Sequence, residues 1–159
     1  MNPDALSDQS ILTEIGNAFA FVPKPKHFTD HLHCEECAEH DELLRTRDRS
    51  TLQLADVGNP GWDPLCFTSS EGFAYYFPAL ARLSLQPPTP QHDWYPPQLL
   101  FHLTYQGLEN RHFSSFTPQQ RRAVLTLLNH LQRTRAPLLE YYIADTDLAE
   151  AQQIWSRDT

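Results

Sequence analysis

Four of the eight histidines and two of the three cysteines fall in one short run, His27-Phe-Thr-Asp-His31-Leu-His33-Cys34-Glu-Glu-Cys37-Ala-Glu-His40. Cys-x-x-Cys spacing lets two thiolates reach one tetrahedral ion at about 2.3 Å each, and nearby imidazoles can complete the set. Cys34, Cys37 and His40, with His31 or His33, therefore make a Cys₂His₂ candidate for one structural zinc. Structural zinc usually takes its second ligand pair from a distant segment, and no such pair is present here. If a helix begins before Cys34, then Cys34, Cys37 and Asp41 share a face and His40 is rotated away from it. Two other readings stand beside the metal. Both thiols can fill core against the helix that follows. Thiol–disulfide exchange also uses this spacing, but Glu35 and Glu36 sit between the sulfurs and would raise the thiolate pKa. A zinc-dependent enzyme built on residues 31–40, with Glu36 or Glu39 as base, is the catalytic variant. The chain has no His-Glu-x-x-His device to support it.

Other groups carry weaker signals. Cys66 lies between Leu65 and Phe67 and reads as a core thiol, and His102 on a leucine-rich helix reads as a satisfied boundary histidine. His92-Asp93-Trp94-Tyr95 mixes polar and aromatic groups beside prolines, as binding loops do. No phosphate-cradling glycine loop, Gly-x-Ser-x-Gly or dinucleotide fingerprint occurs, so no catalytic residue is assigned.

The elements that must position these groups read as helices. Ile11, Leu12, Ile15, Ala18 and Phe19 recur at near-helical spacing before Pro23 and Pro25. Thr68 and Glu71 form a capping box ahead of Phe73, Tyr76, Phe77, Leu80 and Leu83, and Pro78 should kink or split that helix. Five prolines between Pro87 and Pro97 make a stiff crossing, after which Leu99, Leu100 and Leu103 mark a short helix ended by Gly107. Thr117, Pro118 and Gln120 open a leucine-rich helix. Leu138 to Ile143 fits strand or helix, and a last amphipathic helix begins near Asp145 or Thr146. The expectation is an all-α, compact, single-domain bundle of five to seven helices over residues 1–159, frayed at 1–9 and 156–159, with a proline-rich crossing loop.

The 159 residues carry 12 basic and 20 acidic side chains, a net charge of −8. Residues 1–63 hold 12 acids and five bases, while Arg111 to Arg135 contains five arginines and no acid. An acidic surface repels phosphate, which argues against nucleic acid and for a basic protein partner. No run approaches the ~20 apolar residues of a membrane helix. With no basic n-region ahead of an apolar stretch, the cytoplasm is the expected compartment. The reading that follows is a non-enzymatic, acidic protein-binding module, in its concrete form an immunity or antitoxin-like protein that covers a basic partner. Glu35, Glu36, Glu39, Asp41 and Glu42, with His92, Asp93, Trp94 and Tyr95, are its candidate contact residues. An adaptor that uses the arginines of 111–135 to hold an acidic partner is a further alternative.

Ile11 to Phe19 followed by a proline, His33-Cys34-x-x-Cys37, Phe67-Thr68-x-x-Glu71-x-Phe73-x-Tyr75-Tyr76-x-Pro78-Ala79 and Phe116-Thr117-Pro118-Gln119-Gln120 together resemble an uncharacterised family of small bacterial proteins, a domain of unknown function. The resemblance covers most of residues 10–135. It implies a small helical protein of bacterial origin and no particular activity.

Overall fold

Thr117 opens a 17-residue helix as its sequence predicts. Its hydroxyl accepts from the Gln120 N–H, the Gln120 side chain accepts from the Thr117 N–H, and Pro118 occupies the first turn. In the computed structural model, which describes residues 3–157, this is α7 (Pro118–Thr134). The other helices are α1 (Pro3–Ala18), α2 (Glu35–Thr46), α3 (Leu54–Val57), α4 (Ser70–Ser84), α5 (Pro96–Thr104), α6 (Arg111–Ser115), α8 (Ala136–Tyr141) and α9 (Asp145–Trp155). Three 3₁₀ turns, Pro60–Trp62, Pro64–Cys66 and Gly107–Glu109, join them. The fold is all-α, with no strand among the described residues. The nine α-helices among the described residues exceed the expected five to seven because α3 and α6 span only four and five residues, too short for a periodic apolar stripe.

α1 packs on α7 and α4, and α9 closes the other side against α5 and α7. Aromatic rings bind these layers: Phe19 lies 5.0 Å from Phe77 and 5.3 Å from Phe116, and Phe116 lies 5.5 Å from Trp155. Such offset and edge contacts add about 0.5–1.5 kcal/mol each beyond area burial. No helix is long and apolar enough to cross a membrane.

Two local expectations need correction. The cap of α4 is Ser69, whose hydroxyl accepts from Gly72 N–H, while Thr68 turns inward and is fully buried. Pro78 does not split α4, because Tyr76, Phe77, Ala79 and Leu80 around it are all locked in the core and outweigh one missing hydrogen bond. Residues 3–9 belong to α1, and residues 1–2 and 158–159 lie outside the described residues. Asp8 anchors this end. Its carboxylate pairs with Arg135 Nη2 at 2.7 Å and meets His130 Nε2 at 2.6 Å. Burial raises the Asp8 pKa, but the hydrogen bonds from Arg135 and His130 outweigh it and hold the carboxyl below its ordinary value.

The ambiguous run after Pro137 is helical and ends at Ile143, which is 86% exposed and sits at φ 54°. A β-branched residue is disfavoured in this left-handed region, where glycine is free. Ile143→Gly should therefore raise stability by about 1 kcal/mol, measured by urea unfolding. An unchanged or lowered midpoint would show that Ile143 is held by contacts outweighing its backbone strain.

Candidate functional site

α2 begins on a sulfur. Cys34 is its N-cap, with an extended backbone, and its Sγ accepts from Cys37 N–H at 3.3 Å. Glu35 and Glu36 in the first turn complement the positive end of the helix dipole. Cys34 is exposed and Cys37 is buried, with the two sulfurs 3.2 Å apart. His33, in the turn just before, brings Nδ1 to 3.7 Å from Cys37 Sγ. One donor atom from each of His33, Cys34 and Cys37 lies within 4.8 Å of the others, so the three can hold a metal ion.

The two thiols are displaced in opposite directions. The Cys37 N–H first, then His33 and the Cys37 thiol, hold Cys34 below the ordinary thiol value. The Cys34 sulfur, then burial and the charges of Asp30 and Glu36, push Cys37 up to about 11. Counting the acidic residues between the cysteines predicts that both thiols rise. That count misses the helix N-terminus, whose free N–H groups stabilise a thiolate at the cap.

The loop leading to His33 hangs on Asp41, which is buried on α2. Asp41 Oδ1 accepts from Phe28 N–H at 2.6 Å and Thr29 N–H at 3.1 Å, and Oδ2 meets His27 Nδ1 at 2.8 Å. Burial raises the Asp41 pKa, but these three hydrogen bonds hold it below its ordinary value. Thr29 Oγ1 donates to the Cys37 carbonyl at 2.6 Å, tying the same loop to the helix turn that bears the inner sulfur. Asp41 is thus a clamp, not a surface contact residue; its side chain points inward because two buried backbone donors need an acceptor. His31 does not join the sulfurs. Its ring stacks on His27 at 3.8 Å, and His27, His31 and Asp41 form a second donor group.

His40 also stays outside the sulfur set. It is buried between Trp62 at 4.6 Å and Phe67 at 5.0 Å, with Nε2 3.5 Å from Glu36 Oε1 and no hydrogen bond. The aromatic cover comes from the turn Pro60–Trp62 and the segment before α4, which the spacing within residues 27–40 does not reveal.

Of the expected contact residues, Glu35, Glu39 and Glu42 are exposed and Glu36 is half-buried. Trp94 and Tyr95 are buried and so offer no docking surface. The stiff proline crossing presses both rings into the core, with Trp94 5.8 Å from the Tyr142 ring, and leaves only Asp93 and part of His92 to solvent. In the arginine-rich segment, Arg135 pairs with Asp8, and Arg121 donates to the Phe113 carbonyl at 2.7 Å and stacks over its ring.

Cys66 is exposed, not a core thiol, because side chains fan out around the 3₁₀ turn Pro64–Cys66 and Leu65 takes the inward position. It lines a cavity of about 480 Å³ between this turn, α5 and α6, together with His102, Asn110, Arg111 and His112. Partial burial and the nearby Asp63 carboxylate push the Cys66 thiol up to about 11. His102 is buried and bonded through Nε2 to Asp63 Oδ2 at 2.8 Å, a satisfied histidine whose partner stands 39 residues away. Comparison with known protein families, curated proteins and solved structures finds no match to this chain.

Proposed function

We propose that residues 27–41 form a zinc-binding element, and that the chain uses it, with the exposed acidic face of α2, to hold a basic protein partner. The convergence of His33 Nδ1, Cys34 Sγ and Cys37 Sγ at the helix cap carries this reading. Tetrahedral zinc with bonds of about 2.0–2.3 Å sets donor atoms about 3.5–3.8 Å apart. The 3.2 Å and 3.7 Å separations here need only small side-chain rotations to meet that. Three protein donors leave a fourth position for water or for a partner's side chain. Glu35, Glu39 and Glu42 make no ion pair among the described residues, so their charge is free to steer a cationic surface.

Metal-free protein titrated with zinc should take up one equivalent at this element, and Cys34→Ser/Cys37→Ser should abolish that uptake. Zinc at about 100 times its dissociation constant should stabilise the fold by about 3 kcal/mol. Partner association should weaken as salt rises and after Glu35→Lys/Glu39→Lys. Zinc uptake unaffected by removing both sulfurs would overturn the metal assignment.

The 3.2 Å approach of the two sulfurs, with Cys34 exposed at the helix cap and Cys37 buried behind it, favours a second reading, reversible disulfide exchange, with Cys34 attacking and Cys37 resolving. A glutathione redox titration separates the two. A two-thiol oxidation that proceeds at the same midpoint with and without zinc supports exchange; zinc that blocks it supports the metal element.

A further inference from the structure

We propose that Asp63, Cys66 and His102 form a second metal site, for a zinc-class dication, at the edge of the 480 Å³ cavity that Cys66 and His102 line. It stands apart from the His33–Cys34–Cys37 element and does not depend on it. One donor atom from each of the three residues lies within 4.8 Å of the other two. Carboxylate, thiolate and imidazole are the donor types that zinc takes, and three protein ligands with one open position is the arrangement of its reactive sites.

Charge accounting favours an ion here. The side chains of Asp63 and His102 are each only 4% exposed. Asp63 spends Oδ1 on Leu65 N–H at 2.9 Å and Oδ2 on His102 Nε2 and Gln98 Nε2. Among the described residues no lysine or arginine pairs with it. A buried carboxylate without a full counter-charge is costly, and a dication beside it removes that cost.

A second, independent feature marks the same place. The Tyr95 hydroxyl, buried near Asp63 and Cys66, has no hydrogen-bond partner. An unpaired buried hydroxyl beside these donors is a further polar atom that an ion's bound water can satisfy. The His102 backbone is pinned from the other side, where Asn110 Nδ2 donates to its carbonyl at 2.9 Å. Cys66 remains reachable from solvent beside the buried Asp63 and His102.

The chain has three cysteines, so in Cys34→Ser/Cys37→Ser protein Cys66 is the sole thiol. Cobalt(II) added to that protein should give a thiolate-to-metal absorption band at one equivalent. Zinc should slow iodoacetamide modification of Cys66 at least tenfold, and His102→Gln should remove this protection although the sulfur is still present. In the unaltered chain, Cys66→Ser should lower cobalt uptake by one equivalent whatever the other element binds, so failure of either site is read separately. No cobalt–thiolate band in the single-thiol protein, equal protection in His102→Gln, or unchanged uptake in Cys66→Ser would each overturn the proposal. So would fast alkylation of metal-free Cys66 that requires His102, because it would make the trio a nucleophile and base instead.

Discussion

Acidification from pH 6.5 towards pH 3 should destabilise this protein by an amount of the order of 4 kcal/mol through His112 alone. Burial first, then the nearby Arg111 and His102 side chains, push its pKa down from 6.5 to about 3. The ring is stacked on Phe73 at 3.9 Å, and Nδ1 lies 3.2 Å from Ser70 Oγ, so the folded state holds it neutral. Between pH 6.5 and about 3 the unfolded chain binds a proton there that the folded chain does not. The stability contributed by neutral His112 is therefore fully present above pH 6.5 and is lost as pH falls below it, at up to about 1.4 kcal/mol per pH unit. Asp8 and Asp41 act lower down. Their folded values lie below the ordinary 3.8, so what they contribute is present above pH 3.8 and lost as pH falls through those folded values. Urea unfolding at steps from pH 7 to pH 4 reads the His112 window. His112→Phe keeps the stacked ring without the titrating nitrogen and should flatten the slope. An equal slope in both proteins would mean that His112 is protonated in the fold.

How far the site could be read in advance depended on the range of the forces that shape it. Thr117, Pro118 and Gln120 act within one helical turn, and their types alone dictate the start of α7. The pairing of Cys34 with Cys37 is equally local, since one turn of helix sets it. At Thr68 and Ser69 either residue can cap, and the choice fell to the core, which took Thr68. The sequence offers His40, with either His31 or His33, as partners for the sulfurs. Packing separates them: Trp62 and Phe67 cover His40, His27 stacks on His31, and only His33 is left beside the cap. Asp63 and His102 come together only when α5 closes on the turn Pro64–Cys66, so neither residue signals the other in the chain. Trp94 and Tyr95 misread as surface because aromatic-and-proline composition is shared by docking loops and by crossings that seal a core. The signal missed at Cys66 was its place in a 3₁₀ turn opened by Asp63-Pro64, where Asp63 caps Leu65 N–H.

The position of His33, and with it the zinc element, should depend on Asp41, a residue that need not touch the ion. Asp41→Ala removes the acceptor for two buried backbone donors, Phe28 N–H and Thr29 N–H, and the partner of His27. Each orphaned buried donor costs about 1–3 kcal/mol, so the variant should lose about 2–4 kcal/mol of stability. Phe28 is itself core, 5.2 Å from the Tyr76 ring, and its carbonyl accepts from Ser69 N–H at 2.8 Å, at the cap of α4. Freeing the loop therefore loosens the start of α4 as well as the turn before Cys34. Zinc affinity at His33–Cys34–Cys37 should fall at least tenfold, as expected when the groups that orient ligands are lost. Asp41→Asn separates clamp from charge. Its amide oxygen can still accept both N–H groups and its NH₂ can donate to His27 Nδ1, so stability should fall by only about 1 kcal/mol and zinc affinity should change little. Unfolding curves and zinc titrations on both variants decide the matter. If Asp41→Asn folds normally yet loses zinc as fully as Asp41→Ala, the carboxylate acts through its charge on the ion, and the metal belongs with His27 and His31 in place of the cysteine pair.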